Sequence, residues 1–308
     1  MNITLPANYD SLALALTSMF GVAVSVKQTD RISGGDINKA YRLTLSTGDR
    51  VFMKANAKGN AGFFTAEAAG LMAIEMTDTV RTPRILCTGT DDGEEAGYSF
   101  LLLGYIESAG KRKDYWETFA RELAAMHRAD TKELTGGKAF GFFQDNYIGA
   151  RPQGNTPASS WVSFFREQRL APQFRAADHY FDSTDRKKIT RLLDHLGDFL
   201  VEPEAPSLLH GDLWGGNVMC GRDGKAMLID PACYVGHAEA DIAMTELFGG
   251  FPRTFYDAYR EANPPQGSVA DYEGRRDLYN LYQLLNHLNL FGSSYLHPVL
   301  SIVEEYAG

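Results

Sequence analysis

The chain has 308 residues, 44% of them hydrophobic, and 39 acidic against 30 basic side chains give it a formal charge of −9. That length can bury a large core in two lobes, and the acidic balance excludes a broad nucleic-acid or anionic-membrane surface, which needs clustered Lys and Arg. Cys87, Cys220 and Cys233 are too few and too irregular for a disulfide framework or a zinc site, and neither a secretion signal nor a run of about 18 apolar residues occurs, so a cytoplasmic protein is expected.

Residues 9–20, with Leu12, Leu14, Leu16, Met19 and Phe20, are expected to form a short amphipathic helix, and Val22 to Gln28 a strand. The stretch Gly34-Gly35-Asp36-Ile37-Asn38-Lys39 then leads into the alternating strand Arg42 to Leu45. A glycine pair between strands lets backbone N–H groups face phosphate oxygens, and a plain hairpin turn is the other reading. The next strand, Arg50 to Lys54, ends on a lysine where kinases keep the one that reaches the α- and β-phosphates. A helix from Phe63 to Glu75 offers Glu67 as its ion-pair partner. Lys54 as a solvated strand residue is the alternative.

Two more strands, Arg84 to Gly89 and Ser99 to Leu103, flank the acidic hairpin Asp91 to Glu95. Leu102 to Glu107 then leaves the sheet for a polar linker, an exit suited to an inter-lobe hinge that holds a flat adenine ring. The domains are therefore drawn as an N-lobe over 1–103, a hinge and linker over 104–113 and a C-lobe over 114–308. Within the C-lobe, helices are expected over Tyr115 to Arg128, Trp161 to Leu170 and Thr184 to Leu200. His127 is read as a helix C-terminal residue facing the macrodipole rather than as a catalyst. Residues 135–160 form a long loop whose aromatics argue for order.

The run Leu208-Leu209-His210-Gly211-Asp212-Leu213-Trp214-Gly215-Gly216-Asn217 carries the chemistry. Its Asp and Asn stand five positions apart, and Asp230-Pro231 follows 18 residues after Asp212. Kinases need a carboxylate to receive the hydroxyl proton, and an Asn plus a second Asp to hold Mg²⁺, at this spacing. Gly211 replaces the Arg of protein kinases, which points to small-molecule acceptors. Downstream, Asp241 is expected to be a buried carboxylate accepting backbone N–H groups of this loop, and Glu239 to be partly exposed. Tyr256 to Tyr306 reads as helical; His287 on its apolar stripe is either a core histidine or a reader of substrate hydroxyls.

The chain resembles the fructosamine kinase, or ketosamine 3-kinase, family. The matching stretches are Gly34 to Tyr41, Glu67 to Leu71, Asp145 to Gly149, Leu208 to Asn217, Asp230 to Ala232, Glu246 to Phe251 and Leu285 to Gly292. The resemblance implies an α+β, bilobal protein-kinase-like fold with an antiparallel N-lobe sheet and a mainly helical C-lobe. ATP and Mg²⁺ would be its cofactors, and the 3-hydroxyl of a ketoamine, free or protein-bound, its acceptor. It implies Asp212 as proton acceptor, Asn217 and Asp230 as metal ligands, and Lys54 with Glu67 as the phosphate-positioning pair. Gly34, Gly35 and Asn38 would belong to the phosphate loop, and Gly104, Tyr105 and Ile106 to the adenine hinge; Trp214, Asn286 and His287 are the candidate sugar readers. Gly104 stands where relatives commonly carry Glu, which should leave backbone adenine pairing intact, and Asp36 where many carry Cys, so thiol control is not expected.

Other kinases of small molecules, acting on aminoglycosides, choline or free sugars, share the His-Gly-Asp loop and remain the alternative. A catalytically silent kinase-like module is a further one, but silent members typically lose Lys54, Asp212, Asn217 or Asp230, and all four are present.

Overall fold

The computed structural model describes residues 3–21, 24–33, 37–93 and 96–307. Gly34, Gly35 and Asp36 of the expected phosphate loop, and Glu94 and Glu95 of the acidic hairpin, lie outside the described residues. The chain divides into two compact units, residues 1–115 with 218–231, and residues 116–217 with 232–308.

Unit 1 is built on six strands, β1 (Asn8–Tyr9), β2 (Val26–Ile32), β3 (Lys39–Leu45), β4 (Arg50–Ala57), β5 (Ile85–Asp91) and β6 (Tyr98–Gly104), in the order β1-β5-β6-β4-β3-β2. All neighbours are antiparallel except β1 with β5. Side chains alternate across a sheet, and here both faces are apolar. Leu43, Leu45, Val51, Met53, Phe100 and Leu102 pack under helix α1 (Leu12–Phe20), while Phe52, Leu101 and Leu103 meet helix α2 (Ala61–Glu75) through Phe64, Ala68 and Leu71. Ala66, Ala68, Ala69, Gly70 and Ala73 keep α2 thin, so it lies close to the sheet. The expected first helix starts only at Leu12, where Ser11 accepts from Leu14 N and caps it.

Residues 218–231 group with unit 1 for a local reason. Their hairpin, Val218–Cys220 paired with Ala226–Leu228, is bonded by Leu228 N to Arg81 O at 2.9 Å, and Arg112 N donates to Gly224 O at 3.2 Å.

Unit 2 is mainly helical: α3 (Tyr115–His127), α4 (Trp161–Phe164), α5 (Ala171–Ala176), α6 (Ser183–Asp194), α7 (Glu239–Leu247), α8 (Arg253–Ala262), α9 (Val269–Phe291) and α10 (Leu296–Ala307). The longest, α9, opens on a capping box between Ser268 and Asp271 and packs against α5, α7 and α10. Two expected helices differ. The one over Trp161 to Leu170 passes into a π-helical turn at Phe165–Leu170, which turns Arg169 fully inward; the one expected to reach Leu200 stops at Asp194, and Leu196–Asp198 is a tighter 3₁₀ turn. The long loop contains a small hairpin, β7 (Asn146–Ile148) with β8 (Arg151–Gln153), and buries Phe140 and Phe142, so its aromatics do order it.

Candidate active site

In unit 1, register aims the lysine. Lys54 is the direct partner of Leu101 across β4 and β6, so both side chains leave the same face, the one covered by α2. Glu67 on α2 meets it there: Lys54 Nζ donates to Glu67 Oε1 at 2.7 Å and to Asp230 Oδ1 at 2.5 Å. Burial pulls the Lys54 pKa down, but the Glu67 and Asp230 charges outweigh it and hold the group above its ordinary value, so it is an ammonium. Burial likewise lifts the Glu67 carboxyl, against the pull of Lys54. Asp230 has φ of 55°, a left-handed conformation that non-glycine residues seldom adopt, and Asp is among the few that tolerate it. On β3's approach, Asn38 Oδ1 accepts from Asn56 Nδ2 at 2.7 Å. Gly104 closes β6 by donating its N–H to Arg84 O at 2.7 Å, and Arg50 lies over the Tyr105 ring at 5.2 Å.

In unit 2 the run Leu208 to Asn217 follows on from a strand, Ser207–Leu209, and enters a tight turn. Asp241, buried at the start of α7, accepts from His210 N at 2.7 Å and Gly211 N at 2.9 Å. This is the structural role expected of it. Gly211 has φ of 82°, and a Cβ there would stand 2.1 Å from Ala232 O, so no Arg or other side chain fits in this turn. Asn217 Nδ2 donates to Asp212 O at 2.8 Å and to Asp212 Oδ2 at 3.0 Å, which fixes the carboxylate against its own loop.

Several supporting residues were not legible as such. His127 ends α3, as expected, and is also buried: Nε2 donates to Asp241 Oδ2 at 3.2 Å and Nδ1 lies 2.6 Å from Tyr259 OH, so the residue contacts the loop's anchor as well. Glu239 is buried, not partly exposed, because Arg275 pairs with it through Nε at 2.8 Å and Nη2 at 2.6 Å. Gln283 of α9 donates to Gly211 O at 3.0 Å. Below the turn, Asn146 Nδ2 donates to Cys233 O at 2.7 Å, Gln153 Nε2 to Ala232 O at 3.1 Å, and Arg169 to Asn155 Oδ1 at 2.7 Å. A signal existed in Asn146, which sits in the Asp145 to Gly149 motif, and in Gln283, a polar residue one turn from His287 on an apolar stripe.

Of the candidate sugar readers, Trp214 is 40% exposed and its indole lies over Gly216, where a Cβ would be 2.3 Å from the ring. His287 is half-buried among Phe248, Phe291 and Tyr295. Asn286 is buried and faces Gln173, whose Nε2 is 3.5 Å from its Oδ1.

In unit 2, Nδ2 of Asn217 is spent on Asp212, which leaves its amide oxygen as a hard donor, and in unit 1 Asp230 carries a carboxylate; each is of the oxygen type that Mg²⁺ accepts. Among the described residues no group of three His, Cys, Asp or Glu could cage a metal alone, and Mg²⁺ ordinarily takes one or two protein oxygens and completes its shell with phosphates and water.

Comparison with known proteins identifies the family. The fructosamine kinase family model matches residues 9–307. A probable ketoamine kinase of Synechocystis sp. is 38% identical over 310 residues, 99% of each chain. The chloroplastic protein-ribulosamine 3-kinase of Arabidopsis thaliana is 38% identical over 93% of this chain and 84% of its own. A crystal structure from Haemophilus somnus, provisionally identified as a fructosamine-3-kinase, superposes with a TM-score of 0.82 at 28% identity, covering 96% of both chains. A choline kinase of Streptococcus pneumoniae, at 16% identity and a TM-score of 0.57, shares the fold alone. No helix among the described residues is long and apolar enough to cross a membrane.

Proposed function

The chain belongs to the fructosamine kinase family, and from that premise we propose that it transfers the γ-phosphoryl group of ATP to the 3-hydroxyl of a ketoamine such as a ribulosamine or fructosamine, free or protein-bound. The observation that carries this reading is the anchored turn at Asp212: Asp241 holds its backbone and Asn217 its carboxylate, so a proton acceptor stands pre-oriented for an incoming hydroxyl.

In this reading Asp212 takes the hydroxyl proton as the oxygen attacks phosphorus. Lys54, kept charged by Glu67, holds the phosphate oxygens. Asn217 and Asp230 would each offer an oxygen to Mg²⁺, and the chemistry that ion would supply is neutralisation of charge on the transferring phosphoryl group. Gly34 and Gly35 would add backbone N–H groups. Gly104, Tyr105 and Ile106 would offer backbone groups to adenine, the Gly104 N–H itself being engaged with Arg84 O. Phosphate at carbon 3 would also start deglycation, since the 1,2-enaminol tautomer can expel the allylic phosphate and water can hydrolyse the resulting iminium to free the amine.

Measuring ADP release over a panel of ribulosamines, fructosamines, choline, an aminoglycoside and unmodified sugars tests the reading. A ketoamine should give the highest kcat/KM, with the phosphate on carbon 3 by NMR. Choline or an aminoglycoside as best substrate would sink it.

A further inference from the structure

Phe248 and Phe291 leave 39% and 52% of their surface in water, yet both rings rest on one half-buried imidazole. The His287 centroid lies 4.8 Å from Phe248, 5.4 Å from Phe291 and 5.1 Å from Tyr295. The three rings come from separate segments: the loop after α7, the end of α9 and the turn Ser293–Tyr295. Exposed aromatic area gathered around a polar ring serves no core.

The imidazole has a defined tautomer. His287 Nδ1 stands 2.8 Å from Gln283 O, and a carbonyl only accepts, so Nδ1 carries the proton and Nε2 presents a lone pair. Burial lowers the His287 pKa, against the pull of that carbonyl, which keeps the ring neutral. Nε2 has no hydrogen-bond partner among the described residues.

Two contacts tie this cluster to the catalytic turn within unit 2. Gln283, one helical turn before His287, donates to Gly211 O beside Asp212. Phe251, three residues beyond Phe248, lies 3.9 Å from where a Cβ on Gly215 would stand. The imidazole is thus about one turn, some 5.4 Å along the axis, from the residue that grips the turn.

We propose that His287, Phe248, Phe291 and Tyr295 form the subsite for the ammonium at carbon 1 of the ketoamine, the rings facing the cation and Nε2 accepting one of its N–H bonds. This rests on the ketoamine kinase reading and adds to it the part of the substrate that is discriminated. The secondary ammonium is what separates a ketoamine from the parent sugar. It is three carbons from the 3-hydroxyl, a span comparable to one helical turn. Aromatic faces attract a cation, and a neutral acceptor binds it without the repulsion a protonated imidazole would bring. The carbon chain beyond the nitrogen would continue over the exposed phenylalanines.

The test uses two matched probes, 1-deoxy-1-(pentylamino)-fructose and its oxygen isostere 1-O-pentyl-fructose, with ADP release measured for the wild type, the double variant Phe248→Leu/Phe291→Leu and His287→Phe. Leucine keeps apolar area without the π face, and phenylalanine keeps the ring without the acceptor. The wild type should prefer the amine in kcat/KM; the amine-to-ether ratio should fall by about 3- to 30-fold in the leucine double variant, the range of cation–π contacts, and by about 10-fold or more in His287→Phe, which loses a hydrogen bond to a charged group, in both mainly through KM for the amine. A ratio unchanged in both variants, or a wild type without preference, overturns the subsite and leaves the kinase reading standing. Phosphorylation of neither probe overturns both.

Discussion

Lys54 Nζ donates to Asp230 Oδ1 at 2.5 Å while also donating to Glu67 Oε1 at 2.7 Å, so one buried ammonium joins strand β4, helix α2 and a carboxylate 176 positions further along the chain. Removing the cation strips two carboxylates of their partner. Lys54→Met should therefore lower kcat by about 10² to 10³, as loss of a preorganised donor does. It should also destabilise the fold by about 3–5 kcal/mol because Glu67 is left buried and unpaired. Steady-state kinetics and urea denaturation check the two effects; a variant with wild-type stability would mean that the pair contributes nothing to the fold.

Asp212→Asn keeps the shape of the carboxylate but accepts no proton. A fall in kcat of about 10² to 10⁴ is expected, with MgATP affinity by calorimetry near the wild-type value. Unchanged turnover would remove Asp212 from its proposed role.

Gly211 and Gly136 both have positive φ, 82° and 60°, but a Cβ at Gly211 would collide with Ala232 O while that at Gly136 meets open space. Gly136→Ala should cost only the left-handed strain of about 1 kcal/mol. Gly211→Ala should cost more than about 2 kcal/mol, since the turn must shift as well, and should lower kcat with it. Equal midpoints for the two variants in denaturant would contradict the steric account.

His237 is buried with Nδ1 accepting from Glu239 N at 3.2 Å, and burial lowers its pKa to about 4, against the pull of Glu239. The unfolded chain binds that proton near pH 6.5 and the folded chain does not, so the stabilising contribution is complete above 6.5 and lost as pH falls to about 4. The difference in unfolding free energy between the wild type and His237→Gln should accordingly shrink by about 3 kcal/mol between pH 7 and pH 4. A difference independent of pH would show that His237 titrates normally.

Much of the strand and helix order could be read along the chain, because alternation in Leu43 to Leu45 and Phe100 to Leu103, and helical spacing in α3 and α9, are local properties of the apolar pattern. Asp241 was readable too, since a carboxylate opening an apolar helix after a polar turn has few roles besides accepting backbone N–H groups. His127 and Glu239 were not. Their partners, Asp241 and Tyr259 for one and Arg275 for the other, lie far along the chain, and only packing brings a polar group its partner. The π-helical turn at Phe165–Leu170 belongs here as well, for nothing in its spacing separates it from an α-helix, while inside the fold it sends Arg169 to Asn155.

By itself the sequence determined the chemistry available: a lysine on a strand, a glutamate on the following helix, and an Asp, Asn and Asp at phosphotransferase spacing, all set by residue identity and short-range periodicity. Only the tertiary structure decided which of these meet. It placed Lys54 between Glu67 and Asp230 through the β4–β6 register, closed the turn at Gly211 against Ala232 O, and gathered Phe248, Phe291 and Tyr295 around His287. The physical reason is that hydrogen bonds and ring contacts act over a few ångströms in space, whereas the residues that make them are separated along the chain by distances that only a folded core can close.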